Sequence, residues 1–237
     1  MKVEHEFYIG FRDIDRYNKL EIKALLGFLE DIAGMHSNMV GYGLKDIEKT
    51  KRTWMLISWK LKLYKKPEYA DTIKIQTWSK SIQRLYAFRD FKIFNQEGEL
   101  IGIASSKWVY INVETQSISR PEPEVVELYQ SESDSVFEEN ELGKLKPAEN
   151  YTNSATYTIG KEMIDVNNHV HNLYYLDLAN MALPEEVYDK DFSEIDILYK
   201  KEIKLGDTVR CLYSVDEDIV TIKNEDESVV HAVLKLK

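Results

Sequence analysis

Acid, amide and imidazole alternate at Asp165, Asn167 and His169, within the stretch Asp165-Val166-Asn167-Asn168-His169-Val170-His171-Asn172-Leu173-Tyr174-Tyr175. A carboxylate and an imidazole are the side chains that take up and release protons near neutrality, and an amide holds a carbonyl or a water by hydrogen bonds. An apolar pattern follows at once. Leu173, Leu176, Ala179, Met181, Ala182 and Leu183 recur at the spacing of a buried helix face, and Pro184 ends the run. The polar loop would then feed a helix N-terminus, whose free backbone N–H groups favour negative charge and suit an oxyanion. The same residues also fit a plainer role, with Asn167 or Asn168 as an N-cap and His169 as a loop residue. His169 and His171 are two apart at a helix start and would point in different directions, and no third ligand is obvious. No metal and no cofactor are expected, since Gly-rich phosphate loops and Gly-x-Ser-x-Gly elbows are also missing from the sequence.

The elements that position such a loop come from the rest of the chain. Its 237 residues suffice for one large domain or two small ones, and 15 Tyr and 8 Phe against 10 Gly and 5 Pro favour a sheet-rich fold. A net charge of −10 disfavours nucleic acid as a partner. With a single cysteine, Cys211, there is no internal disulfide, and its neighbours Val209, Leu212 and Tyr213 suggest a strand in which it fills space. No signal-peptide core and no membrane-length apolar run is present, so a cytoplasmic protein is expected.

In chain order, Val3, His5, Phe7 and Ile9 mark a first strand, and Asn18-Lys19-Leu20-Glu21 reads as a capping box. Ile22, Leu25, Leu29, Ile32, His36 and Met39 then trace one face of a long helix ending near Gly41 and Gly43, with His36 read as a hydrogen-bonded core histidine. Strands follow at about 53–65, 71–81, 84–95 and 99–113, with Asn95-Gln96-Glu97-Gly98 as a hairpin connection. A strand, a long helix and an antiparallel meander in this order make a hot-dog unit, in which the sheet wraps the helix. Residues 131–150 read as a linker, rich in serine and carrying the acidic run Glu138-Glu139-Asn140-Glu141, preceded by a short helix over Val125 to Tyr129. From 151 the order restarts, with strands near 156–159, 192–204, 207–216 and 218–236, the last broken at Asn224-Glu225-Asp226-Glu227. Tyr64-Lys65-Lys66-Pro67 through Asp71-Thr72 echoes Tyr199-Lys200-Lys201-Glu202 through Asp207-Thr208. The expected architecture is α+β: two tandem hot-dog folds, 1–130 and 151–237, each an antiparallel sheet around a long helix.

The halves differ chemically. The loop before the first helix is Phe11-Arg12-Asp13-Ile14-Asp15-Arg16-Tyr17-Asn18, and only the second half offers amide and imidazole beside carboxylate. Glu202 lies in the duplicated turn, where its counterpart aligns as Pro67 or Glu68 and a solvated role is the plainer one.

Asp165-x-Asn167-x-His169-Val170-x-Asn172-x-x-Tyr175, Tyr199-Lys200-Lys201-Glu202, and Gly98-Glu99-Leu100 through Ala104-Ser105-Ser106-Lys107-Trp108-Val109 with Pro123-Glu124-Val125 resemble the acyl-acyl carrier protein thioesterases along nearly the whole chain. The resemblance, to a bacterial member, implies two tandem hot-dogs and hydrolysis of fatty acyl-acyl carrier protein to free fatty acid, ending chain elongation. It implies a catalytic set of Asp165, Asn167, His169 and Glu202. Family members often have a cysteine after the glutamate. Here Ile203 stands there, which removes a thiol nucleophile and leaves water activation. An acyl tunnel is expected in the first half, with Leu25, Leu29, Ile32, Trp54 and Trp78 as candidate lining. Acyl carrier protein is the expected partner, met by the basic residues Lys49, Lys51, Arg52, Lys60, Lys62, Lys65 and Lys66, and the chain is expected as a monomer or homodimer. An acyl-CoA thioesterase and a non-catalytic acyl-binding hot-dog are the alternatives.

Overall fold

Alternation of apolar and polar side chains builds most of the protein. The computed structural model describes residues 1–138, 142–190 and 192–237, which form two units, Met1–Leu142 and Gly143–Lys237. In the first unit β1 (Lys2–Tyr8) leads to α1 (Ile22–Met39), a short α2 (Ile47–Thr50), and then β2 (Arg52–Leu63), β3 (Thr72–Gln83), β4 (Tyr86–Phe94) and β5 (Leu100–Asn112). A two-residue β6 (Ser117–Ile118) pairs with β5, and α3 (Pro123–Leu128) follows. The antiparallel sheet runs β1-β3-β4-β5-β2. Ile73, Ile75 and Thr77 of β3 are buried between half-exposed Lys74 and Gln76, the period of two that buries one face. Leu25, Leu29, Ile32 and His36 cover that face from α1 and are fully buried, whereas Met39 is 65% exposed.

The second unit repeats the order. It comprises β7 (Asn153–Thr158), α4 (Tyr174–Asn180), α5 (Glu185–Tyr188), β8 (Glu194–Tyr199), β9 (Thr208–Ser214), β10 (Ile219–Asn224) and β11 (Val230–Leu236). Its antiparallel strands run β7-β9-β10-β11-β8, so first, third, fourth, fifth and second strands neighbour one another in both units.

Two local expectations are corrected. Asn18 does not cap α1: it sits at φ 67 in a turn, and Glu21 is the N-cap, without a side-chain cap bond. The second helix is short, seven residues against eighteen in α1. Pro184 has no N–H for the Asn180 carbonyl, and the Leu183 N–H closes a tight turn onto that carbonyl instead (3.2 Å). The break expected at Asn224-Glu225-Asp226-Glu227 is present, as the connection of the β10–β11 hairpin.

Of the segment expected to be a linker, residues 131–138 are tied to the first unit, and 143–150 belong to the second. Glu132 N–H donates to the Ser79 carbonyl and Val136 N–H to Asp90 Oδ2, both 2.9 Å, and the Trp78 indole donates to the Asp134 carbonyl (3.0 Å). Of the acidic run, 139–141 lie outside the described residues. Among the described residues no helix is long and apolar enough to cross a membrane.

Gly98 (φ 80) closes the β4–β5 hairpin, where Asn95 Oδ1 accepts the Glu99 N–H (2.8 Å). Gly102 is required for a different reason: a Cβ there would meet Leu63 Cδ2 at 2.7 Å and the Lys62 carbonyl oxygen at 3.2 Å. Gly102→Ala should destabilise the protein by about 1–3 kcal/mol, as overpacked cores do, and a lower thermal midpoint would show it.

Candidate active site

The loop between β7 and α4 folds around one carboxylate. Asp165 Oδ1 accepts the backbone N–H of Asn167 (2.8 Å) and of His169 (3.1 Å), and its Oδ2 accepts the Asn167 side-chain amide (3.1 Å). Its backbone closes the same turn: Asp165 N–H donates to the His169 carbonyl (2.8 Å), and Asn168 N–H donates to the Asp165 carbonyl (3.1 Å). Asn168 turns the corner at φ 62, a left-handed conformation that asparagine tolerates better than most residues. The N-cap reading of Asn167 and Asn168 falls away, since the cap of α4 is Leu173.

One backbone bond brings the distant acid to this loop. Val170 N–H donates to the carbonyl of Ile203 (2.9 Å), so Glu202 sits one residue from a fixed contact with the loop. Glu202 itself is exposed. Among the described residues no hydrogen bond joins its carboxylate to Asp165, Asn167 or His169. It lines an open depression of about 610 Å³ together with Lys201, Lys204, Asp207 and His231. The turn carrying it is anchored by His231, whose carbonyl accepts the Lys200 N–H (2.8 Å) and whose Nδ1 lies 3.1 Å from the Lys201 carbonyl oxygen.

Tyr175, quoted in the sequence motif but given no role there, is near enough to both acids for their charges to act on it. It is buried, and burial pushes its phenol well above the ordinary tyrosine range. A hydrogen bond from the Ile203 backbone opposes that push in part, while the nearby Glu202 and Asp165 carboxylates add to it. Tyr199 packs edge-on to its ring (5.1 Å between centroids) and donates its hydroxyl to the Asn172 carbonyl (3.2 Å). The start of α4 has no spare donors there for an oxyanion. Leu173 N–H faces His171 Nδ1 (3.3 Å), Tyr174 N–H donates to the His171 carbonyl (2.9 Å), and Tyr175 and Leu176 donate to Asn172 and Leu173 (3.3 and 3.2 Å).

The first unit makes the same turn from different side chains. Asp15 Oδ1 accepts the N–H groups of Tyr17 (2.8 Å) and Lys19 (3.0 Å), Asn18 stands at φ 67, and Leu20 N–H donates to the Pro67 carbonyl (2.8 Å). Asp15 therefore matches Asp165, Tyr17 matches Asn167, and Lys19 matches His169. Because Pro67 takes the place of Ile203, the counterpart of Glu202 is Lys66, not Pro67 or Glu68. Leu25 occupies the place of Tyr175, both being buried four residues after the residue whose N–H binds the Asp13 or Met163 carbonyl. Only the second unit holds imidazole, amide and a second acid at these places.

Two expected groupings are not brought together. Leu25, Leu29 and Ile32 are buried on α1, and half-buried Trp54 donates its indole N–H to the Tyr129 hydroxyl (2.9 Å). Trp78 stands on the opposite sheet face from Thr77 and Ser79, under Asp134 and with Lys2 and Lys92 over its ring (4.9 and 5.7 Å), so it lines nothing against α1. The basic residues do not form one patch. Lys49 to Arg52 and Lys65 to Lys66 flank opposite ends of β2, whose 12 residues at ~3.3 Å each span roughly 40 Å. Lys51 and Arg52 also meet Glu114 (3.8 Å) and Glu122 (3.5 Å).

Cys211 is fully buried on β9, and burial pushes its thiol up to about 12. A thiol so placed is inert at neutral pH. Cys211→Ala should leave turnover unchanged, and the folded protein should resist alkylating reagents; inactivation by iodoacetamide would contradict this.

The sequence matches the family described as acyl-ACP thioesterase N-terminal domain over residues 1–129 and the acyl-ACP thioesterase C-terminal domain over 147–235. Oleoyl-acyl carrier protein thioesterase 2, chloroplastic, from Arabidopsis thaliana is 27% identical over 226 residues, covering 88% of this chain and 62% of the relative. The oleoyl-acyl carrier protein thioesterase of Coriandrum sativum is 25% identical over 242 residues, covering 94% of this chain and 66% of its own. The chain thus spans less than two thirds of the length of these curated relatives. In structure it is similar to an acyl-ACP thioesterase from Bacteroides thetaiotaomicron VPI-5482 (TM-score 0.87, 24% identity, covering 99% of this chain and 96% of the other). It is equally similar to the 12:0-ACP thioesterase from Umbellularia californica (TM-score 0.87, 18% identity, 100% and 97% covered). With the two domain families matched in order across most of its length, the chain belongs to the acyl-ACP thioesterase family.

Proposed function

We propose that this protein hydrolyses the thioester of fatty acyl-acyl carrier protein, releasing free fatty acid and carrier thiol. The observation that carries the reading is the asymmetry of two matching turns. Both units build the Asp15 or Asp165 loop, yet only the second arms it with Asn167, His169 and Glu202. A loop kept only for its shape has no need of that set. The fold that accompanies this reading is a pair of tandem hot-dogs, and the repeated strand order supports it.

In the proposed reaction Glu202, exposed in its depression, takes a proton from water, and the resulting hydroxide attacks the thioester carbonyl carbon. Asn167 gives one amide N–H to Asp165 and keeps the second for the carbonyl oxygen as it gains charge. The C–S bond then breaks, and the leaving thiolate receives its proton from His169. Asp165 holds the loop that presents both side chains. No cysteine takes part, since Ile203 is buried and apolar and Cys211 is sealed in β9. In the first unit, Leu25, Leu29, Ile32 and Trp54 are proposed to line the acyl chain.

Released thiol measured on one acyl group carried by acyl carrier protein and by coenzyme A tests the reading. Faster release from the carrier protein is expected. Equal or faster release from coenzyme A would move the assignment to an acyl-CoA thioesterase, and no release from either would leave a binding protein.

A further inference from the structure

The first unit buries a cation that the proposed hydrolysis does not use. Arg89 of β4 is 6% exposed and sits on the sheet face covered by α1. Its Nη1 reaches His36 Nδ1 (3.0 Å) and Thr77 Oγ1 (3.2 Å), and these are its only side-chain bonds among the described residues. Among the described residues no carboxylate is bonded to it. Asp90, next along β4, points to the other face, where it accepts the Ser105 hydroxyl (2.5 Å) and the Val136 N–H (2.9 Å).

The hydrogen-bond directions show what is missing. Arginine has only donors, so His36 Nδ1 must accept, and the other ring nitrogen, Nε2, therefore carries the proton. That Nε2–H is buried without a partner, and His36 is fully buried. Burial first, and then the Arg89 charge, depress the imidazole to about 3, which keeps it neutral and in this tautomer at ordinary pH. Thr77 spends its own hydroxyl proton on the Asp90 carbonyl (3.0 Å). Tyr129, 5.4 Å from the His36 ring, accepts the Trp54 indole N–H and donates to Ser37 (3.1 Å), and it bonds neither His36 nor Arg89 among the described residues. The cluster thus sets a buried donor without a partner, His36 Nε2–H, beside the positive charge of Arg89, and no carboxylate bonds either group among the described residues. Buried donors in this state are costly, and the group that satisfies them is an acceptor with negative charge. The walls are apolar: Ile32 and Ala33 one turn back on α1, and Phe91 and Ala104 paired beside Arg89 on the sheet.

We propose that Arg89 and His36 form an internal carboxylate-binding site in the first unit, taking a linear aliphatic chain that ends in a carboxylate. Two sources share that chemistry, a free fatty acid entering head first and an acyl thioester with a carboxylate at its far end. Calorimetric titration of the full chain with dodecanoate and with dodecanol decides the site, whether or not any thioester is cleaved. Dodecanoate should bind at least about tenfold tighter, as charge-assisted hydrogen bonds require. Arg89→Met should erase the difference and Arg89→Lys restore part of it. Equal binding of acid and alcohol to the wild type, or no binding of either, overturns the proposal even if the variants fail to fold, and so does a preference that survives in Arg89→Met. Released-thiol rates then separate the sources. Faster cleavage of the ω-carboxydodecanoyl than of the dodecanoyl thioester assigns the site to the acyl tail. Unchanged rates with inhibition by free dodecanoate assign it to the fatty acid.

Discussion

Glu202→Gln is expected to lower turnover by ~10²–10⁴-fold, the range typical of a positioned acid–base group. Glutamine keeps the shape and removes the basic oxygen, and because the Glu202 side chain is exposed, the fold has little to lose. The fixed neighbours are backbone: Ile203 accepts Val170 N–H, and His231 accepts the Lys200 N–H. The thermal midpoint should therefore stay within about a degree or two, since exposed substitutions rarely exceed ±0.5 kcal/mol. Steady-state kinetics on acyl-carrier protein would check it. A variant with near wild-type turnover would remove Glu202 from the mechanism and leave His169 as the base.

The second large effect separates structure from chemistry by using the repeat. Asp165→Ala removes the acceptor of three hydrogen bonds, and Asp15→Ala removes the acceptor of two in the matching turn. Each should cost about 1–3 kcal/mol, seen as a lower midpoint by calorimetry. Only Asp165→Ala should also cost activity. Releasing Asn167 and His169 from their shared anchor misplaces them, and a displacement of ~1 Å can cost ~10²-fold in rate. Equal activity losses in both variants would mean that the turns serve stability alone.

The parts legible in the sequence were those set by local period. Strands with one buried face alternate every second residue, so β2 to β5 fall within a few residues of their expected places, and Gly98 marks its hairpin. The chemical inequality of the halves was also legible, because residue types at two-residue spacing do not depend on coordinates. Other features depend on contacts between distant segments. Trp78 satisfies the alternation pattern but faces away from α1, because residues 131–138 cover the sheet's other side. The basic residues look dense along β2 only because a strand is read as a line, when its ends are far apart in space. Asn18-Lys19-Leu20-Glu21 has the letters of a capping box, but Asp15 captures the turn first and moves the helix start beyond it.

By itself the sequence determined the element order, the repeat, and the identities of Asp165, Asn167 and His169 as one local group, since a carboxylate two residues from an amide needs no tertiary fold to reach it. The tertiary structure decided the rest. It showed that the residue after Glu202 is bonded to the loop through Val170 N–H and the Ile203 carbonyl, that Lys66 takes the matching place in the first unit, and that the charges of both acids act on Tyr175. It also showed that Arg89 and His36, 53 residues apart, share a buried hydrogen bond. Those relations join segments far apart in the chain, and no periodicity encodes them. They exist only when strand pairing closes the loops between them and burial removes the water that would otherwise answer each polar group.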